Sequence, residues 1–494
     1  MKNPSTKIIS HGAIYLLGNI LRRTVSFIML PIYTRYLTTA DYGTIELISM
    51  AIDLVSIILG LRIGEAVFKF YSDYEDPQDK KHVISTSIWL VLVLNAFGVS
   101  IIAIFSKPLS VFIFGSGSVA SYLALFSLTL VFQALVEIPM LFIRAQQRAW
   151  VFVIFSTSQL VLQLSLNIFF VVMKQMHVAG VIYSAVISVG TMAIALGIYT
   201  LPKTGVHFSL SKAKELVSFS IPMILTSIMT FYMTFGDRYF IRKYWGLDEV
   251  GIYSLGYKFG FLLGFIAVGP FFNIWDSEKY NIYKREEATE VYQKVFLSFS
   301  SFLLFVAIGI SLFSKDVIRV MAHTSFWPAY KIVPIVLAAY VCQAWAGYAN
   351  LGILVKKKTM QITYGALIGT GIITIGYIFL IPAWGGIGAA WATLFAFAGR
   401  LLWVHWRSER LYSMELPWGK VGLLVAFVTL MVAISFSVPD RLIISVAVNI
   451  LLIISFILGI LFLPILPENQ RRWMLQFLRK PTEMKYGLSS LMGK

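Results

Sequence analysis

Eleven charged residues of this 494-residue chain stand inside long apolar runs, where an ionised side chain needs a reason to be. They are Arg22 and Arg23 in the first run, Glu46, Asp53, Arg62 and Glu65 in the second, and Glu137 in the fourth. Asp237 and Arg238 follow in the seventh run, Lys258 in the eighth and Arg400 in the twelfth. At a bilayer centre each costs about 2.5–3.5 kcal/mol on insertion scales, so such groups usually face a bundle interior or water. Arg22, Arg23, Arg62, Arg238 and Lys258 are all cationic and fall on the first, second, seventh and eighth runs. A cavity lined by those runs would carry a positive field. Phosphate or pyrophosphate suits such a site, because an arginine fork grips its oxygens in pairs. These five are the candidate substrate-binding residues, and Asp53, Glu46 and Asp237 are the candidates for ion coupling.

Each charge also has a simpler explanation. Arg62 and Glu65 are three apart and can pair on one helical face. Asp237 and Arg238 fall near the outer end of their run, at the expected interface. Arg400 can snorkel towards the inner end of its run. Arg22 and Arg23, about eleven residues into a run starting near Gly12, have the least room for such an escape.

Patterns for covalent chemistry are weak. Gly115-Ser116-Gly117-Ser118-Val119-Ala120 fits a dinucleotide fingerprint formally, but no βαβ unit surrounds it and it reads as a turn. No phosphate-binding loop of the ATPase kind is present, and the six histidines are scattered without metal-ligand spacing. Asp73, Glu75, Asp76 and Asp79 read as a solvated acidic loop. No catalytic residue, metal or cofactor is expected.

The elements that must position the charges are membrane helices. The chain is 58% hydrophobic and 13% charged, against about 25% charge in a soluble domain. Apolar runs near twenty residues recur, and each is long enough to span the ~30 Å hydrocarbon core. The expected spans are Gly12–Tyr33, Thr44–Ala66, Val83–Phe105, Tyr122–Ile143, Val151–Met173, Ala179–Leu201 and Leu216–Ile241. They continue with Val250–Phe272, Val295–Phe313, Ile332–Val355, Met360–Ile381, Ile387–Trp406, Val421–Val438 and Leu442–Leu463. This predicts an all-α polytopic membrane protein of about fourteen helices.

The net charge of +17 sits mostly in short loops, with no nucleic-acid-binding pattern beside it. Twenty-six Lys and Arg fall on the side of the termini and nine on the other. That bias places both termini in the cytoplasm and favours anionic membrane lipids as neighbours. The first run lacks a small-residue cleavage site and reads as a retained helix. Cys342 reads as a packing residue, and Glu468–Lys480 as a helix lying along the inner leaflet.

The chain also repeats itself. Arg35-Tyr36 with Asp41-Tyr42-Gly43 resembles Lys243-Tyr244 with Glu249-Val250-Gly251, an offset of 208 residues. Gly180-Val181-Ile182-Tyr183-Ser184-Ala185 resembles Gly388-Ala389-Ala390-Trp391-Ala392-Thr393 at the same offset. Six helices separate the copies, so the repeats are parallel and related by an axis along the membrane normal. The expected organisation is a six-helix lobe in 1–205, a second in 206–412, two further helices in 413–466 and a cytoplasmic interfacial tail in 467–494. Gly256, Gly260 and Gly264 form a stripe suited to close helix packing.

Leu30-Pro31-Ile32-Tyr33-Thr34-Arg35-Tyr36-Leu37 followed by Asp41-Tyr42-Gly43 resembles the opening of bacterial polysaccharide transporters. These are the O-antigen flippase-like members of the multidrug/oligosaccharidyl-lipid/polysaccharide exporter superfamily. Asp237-Arg238-Tyr239-Phe240-Ile241 to Gly251-Ile252-Tyr253, and Gly385-Gly386-Ile387-Gly388-Ala389-Ala390, are similar to the family's second half. The resemblance implies two lobes, alternating access and no enzymatic activity. Its implied cargo is an undecaprenyl-pyrophosphate-linked glycan carried across the bacterial inner membrane, with polysaccharide synthesis and polymerisation proteins as partners. It also implies a cationic cavity, which Arg22, Arg23, Arg62, Arg238 and Lys258 are placed to supply. Two other functions fit a polytopic bundle. A drug/cation antiporter would need a carboxylate-dominated cavity, and a glycan polymerase or ligase would need a long outward loop; neither feature is evident.

Overall fold

In hydrocarbon a backbone can satisfy its N–H and C=O groups within one segment only as a helix, and every described element is helical. The computed structural model describes residues 29–60, 63–439 and 441–462, apart from the side chains of Pro222, Met223 and Phe462. The helices begin with α1 (29–36), α2 (Thr39–Leu59), α3 (Ile63–Asp73), α4 (Pro77–Ile104), α5 (Ser106–Phe114) and α6 (Ala120–Ala145). Next come α7 (Ala149–Asn167), α8 (His177–Thr204), α9 (Leu210–Phe235), α10 (Asp237–Trp245), α11 (Leu247–Leu263) and α12 (Gly269–Tyr283). The chain continues through α13 (Ala288–Met321), α14 (Val333–Ala349), α15 (Leu351–Val355), α16 (Met360–Leu411), α17 (Trp418–Ser437) and α18 (Leu442–Phe462). π-helical turns extend α7 through Ile168–Met173 and join α11 to α12 through Gly264–Val268.

Ten helical stretches among the described residues are long and apolar enough to cross a membrane, and two bent pairs raise this to twelve. α16 adds another crossing. As one rod its 52 residues would reach ~78 Å, more than twice the hydrocarbon thickness. Gly385, at φ 55° and ψ −132°, breaks it, and the two arms fold back on each other. Gly388 lies on the Leu380 carbonyl, Gly376 on Ala392 and Gly365 beside Val404. Near the open end, Trp403 Nε1 donates to the Gln361 carbonyl and Arg407 Nε to Gln361 Oε1, both at 3.0 Å. The arms are the expected spans Met360–Ile381 and Ile387–Trp406. Of the expected first span only residues 29–33 are described, and the tail beyond residue 462 lies outside the described residues.

The described residues divide into two compact units. One holds the chain as far as Ser254 together with Met321–Phe326; the other holds Leu255–Val320 and the chain from Trp327 onwards.

Asp41-Tyr42-Gly43 of the first repeated motif has a structural reason for each residue. Asp41 closes a capping box at the start of α2: its N–H donates to Thr38 Oγ1 at 3.0 Å, and the Thr38 N–H donates to its carboxylate at 3.1 Å. Tyr42 is buried with its ring edge-on to Phe326, centroids 5.8 Å apart. Gly43 lets α2 cross the start of α11. A Cβ on Gly43 would fall on the Leu247 carbonyl, and one on Gly251 would fall on the Thr39 carbonyl. Thr39 and Leu247, like Gly43 and Gly251, are 208 residues apart, so this contact is self-complementary about a local twofold. The Thr39 hydroxyl also donates to the Asp248 carboxylate.

The glycine stripe on α11 divides in two. Cβ atoms on Gly256 and Gly260 would press to 2.8 Å from the Ala329 carbonyl and 2.6 Å from Val336 Cγ1. At Gly264 a Cβ would meet nothing within 4 Å. Gly260→Ala is therefore expected to lower the melting temperature in detergent by several degrees, whereas Gly264→Ala leaves it unchanged or raises it. Equal effects at the two positions would contradict this packing.

Candidate substrate cavities

Three of the five candidate cations, Arg22, Arg23 and Arg62, lie outside the described residues. The structure places the other two differently from one another. Arg238 is buried at 1% exposure rather than at an interface. Its Nη1 donates to Asp237 Oδ1 at 2.7 Å and to the Thr234 carbonyl at 2.9 Å, and its guanidinium lies over the Phe235 and Tyr253 rings. Tyr253 donates its hydroxyl to the other Asp237 oxygen at 2.5 Å. The two charges thus pair within packed protein. Removing one member leaves the other charged and buried, so Arg238→Ala is expected to destabilise the protein by about 3–5 kcal/mol. Adding Asp237→Asn should restore much of that loss, as thermal unfolding of both variants would measure. Lys258, on α11, is half-buried. On α2, Glu46 is half-buried and Asp53 exposed, seven residues apart and hence on the same face.

The charges that line cavities are others. In the second unit a cavity of about 430 Å³ is walled by Asp276, Tyr340, Gln343, Asn350 and Arg400. The third stripe glycine, Gly264, opens onto it from the π-helical turn. Tyr340 and Gln343 come from α14, Asn350 from its C-terminal cap, and Arg400 from the second arm of α16. Lys279 holds Asp276 at 2.6 Å. Arg400 Nε and Asn350 Oδ1 are both buried without a hydrogen-bond partner. Arg400 is half-buried at the cavity wall.

In the first unit a cavity of about 480 Å³ lies against α1, α6 and α7. Gln133, Glu137 and Arg144 reach it from one face of α6, and Gln159, Gln163 and Asn167 from one face of α7. Tyr33 closes the ring, donating to Asn167 Oδ1 at 3.1 Å. The two cavities share a repeat position, since Val136 lines one and Ala344, 208 residues later, lines the other. Such a set of amides, one carboxylate and one guanidinium can exchange hydrogen bonds with a polyhydroxyl ligand. A third cavity, about 400 Å³ and lined almost wholly by hydrocarbon from Met50 to Phe240, suits an apolar chain.

Sequence reasoning saw Glu137 and Arg400 as isolated charges and missed Gln343, Asn350 and the glutamines of α7. A polar stripe on α7, at Ser156, Gln159 and Gln163, was the available signal.

The motifs set aside in the sequence have structural explanations. Gly115, at φ 71°, caps α5 and lets the Arg242 guanidinium lie against it. In the acidic loop, Asp76 caps α4 by accepting from the Gln78 N–H at 3.0 Å, and Asp79 pairs with Lys212 at 2.8 Å. Beside them Tyr74 donates to Glu215 at 2.5 Å, a bond that raises the phenol pKa to about 12.

A family model described as polysaccharide biosynthesis protein matches residues 9–272. No curated protein sequence matches the chain. Among solved structures, lipid II flippase MurJ in an inward closed conformation matches with a TM-score of 0.71 at 15% identity, over 92% of this chain and 99% of that one. An inward-facing multidrug resistance MATE family transporter of the MOP superfamily gives 0.62 at 15% identity, over 79% and 95%. A mutant of the Vibrio cholerae MATE transporter VcmN gives 0.53 at 13% identity, over 83% and 98%. At these identities the likeness establishes the fold.

Proposed function

The chain belongs to the polysaccharide biosynthesis protein family, and we propose that it is a flippase for an undecaprenyl-pyrophosphate-linked oligosaccharide. It moves this cargo from the inner to the outer leaflet of the bacterial cytoplasmic membrane by alternating access. The observation that carries this reading is Arg400, a guanidinium at the wall of an intramembrane cavity with its Nε unpartnered. A charge kept there at a cost of a few kcal/mol needs a compensating ligand, and a pyrophosphate is one. The amide-rich cavity of the first unit supports a sugar headgroup, and the hydrocarbon-lined one supports a polyprenyl chain. The likeness to a structure named a lipid II flippase supports movement of a lipid. A cation antiporter is less well supported, because the one carboxylate in the second unit's cavity, Asp276, already holds Lys279.

In this reading residues 1–205 and 206–412 are the lobes, and 413–466 are two added helices. With Arg407 in a cytoplasmic loop, its spacing of seven residues, or ~10 Å along the helix, from Arg400 supports a cavity towards the cytoplasmic end. Transport needs no covalent step, only binding, reorientation and release. Surface-polysaccharide synthesis and polymerisation proteins would supply and receive the cargo.

The test is the fate of lipid-linked repeat units in a strain lacking the gene. Completed units should accumulate at the inner leaflet and be cleared when the gene is restored. Units that reach the periplasm unpolymerised would sink the reading in favour of a polymerase. Unchanged glycan with altered drug sensitivity would do so in favour of an antiporter. Orientation has its own check: Lys358→Cys should be shielded from membrane-impermeant thiol reagents in intact cells and labelled after permeabilisation.

A further inference from the structure

Three helices of the second unit, α13, α17 and α18, meet at a set of buried polar groups that cargo binding does not use. Asp316 of α13 is 4% exposed, Ser445 and Asn449 of α18 are 3% and 1%, and Ser435 of α17 is 7%. One carboxylate oxygen of Asp316 accepts from Ser445 Oγ at 3.0 Å and from Asn449 Nδ2 at 3.1 Å. The Asn449 amide also donates to the Leu312 carbonyl at 2.9 Å and accepts from Ser435 Oγ at 2.7 Å. The other Asp316 oxygen is buried and has no hydrogen-bond partner.

The charged groups nearby are directed elsewhere. Lys315 Nζ lies over the Tyr330 ring at 5.8 Å, and the Arg319 guanidinium lies over the Trp327 ring at 5.2 Å. α18 carries no charged residue along its length, and Lys420, the only one on α17, is fifteen residues from Ser435. Arg441, before α18, reaches the cluster through its carbonyl, which accepts from the Ser445 N–H at 2.9 Å.

We infer that Asp316, with the oxygens of Ser445, Asn449 and Leu312, forms a binding site for a monovalent metal cation. A half-satisfied carboxylate in a membrane interior is costly, and a bound cation removes that cost. One carboxylate among neutral oxygens matches a single positive charge, whereas divalent cations usually gather several carboxylates or water. Turning the Asn449 amide would present its oxygen to the ion. The donors come from α13 and α18, and Asn449 is bonded in turn to Ser435 of α17, so occupancy ties α18, and through it α17, to α13.

The test is thermal unfolding of the full-length protein in detergent, in sodium chloride against choline chloride of equal ionic strength. Sodium should raise the melting temperature by several degrees, with saturation, as expected for a ligand that binds only the folded state. Asp316→Asn keeps an acceptor for Ser445 and Asn449 but loses the charge, and should abolish the response. Ser445→Ala, a milder change, should raise the half-saturating sodium concentration several-fold, and it serves if Asp316→Asn does not fold. No sodium response in the native protein, or a full one in both variants, overturns the site. A response to pH alone, identifying a proton on Asp316, does the same. The measurement involves no cargo, so its failure and that of the flippase reading are separable.

Discussion

Arg400→Gln is expected to cut delivery of lipid-linked repeat units to the outer leaflet by about 10- to 100-fold. This follows from the loss of charged hydrogen bonds worth about 1.5–3 kcal/mol, at about 1.4 kcal/mol per tenfold. Arg400→Lys keeps the charge but not the fork, and should fall between the two. Stability should move the other way. With Nε unpartnered at a cavity wall, the guanidinium adds little to folding, so Arg400→Gln should melt at or above the native temperature. Transport would be read from glycan reaching the outer face at matched protein levels in the membrane. Native transport by the glutamine variant would remove Arg400 from the cargo site. Lost transport with a much lower melting temperature would make it a folding residue instead.

Gly251→Val should abolish transport while leaving the protein inserted. Any side chain there falls on the Thr39 carbonyl, and any side chain at Gly43 falls on the Leu247 carbonyl. Backbone cannot yield as a rotamer does, so the starts of α2 and α11 must separate and forgo the Thr39–Asp248 hydrogen bond. Gly43→Val breaks the same contact, so the double variant should be no worse than either alone. Gly309→Ala on α13 is the control, since a Cβ there meets nothing within 4 Å and the residue lines none of the three cavities. Transport near the native rate in Gly251→Val would show that this crossing does not need to form during the cycle. Cysteines at Thr39 and Leu247 offer a second readout. The crossing should let them cross-link in the otherwise native chain, and they should fail to do so once Gly251→Val is added.

Arg238 and Arg400 show where legibility stopped. In the sequence both are single arginines inside apolar runs, with nothing nearby to rank them. Asp237 next door, itself bonded to Tyr253 sixteen residues on, gives Arg238 a buried carboxylate partner, which Arg400 has not among the described residues. Arg400 faces a cavity assembled from α12 and the π-helical turn before it, α14 and α16. The glycine stripe was legible as packing, but not that its last member lines a cavity, since that depends on which neighbour stops short of it. Equally hidden was the meeting of Asp316 with Asn449, 133 residues later.

The sequence by itself determined a helical membrane bundle, its repeat and its family. Run length, repeat offset and loop charge are properties of the chain in order, and the bilayer reads them directly. It also marked the residues whose burial needs explaining. Which of them face a ligand was decided by tertiary structure alone. That depends on the rotation of each helix about its axis and on partners from distant segments, and neither is encoded in any local pattern.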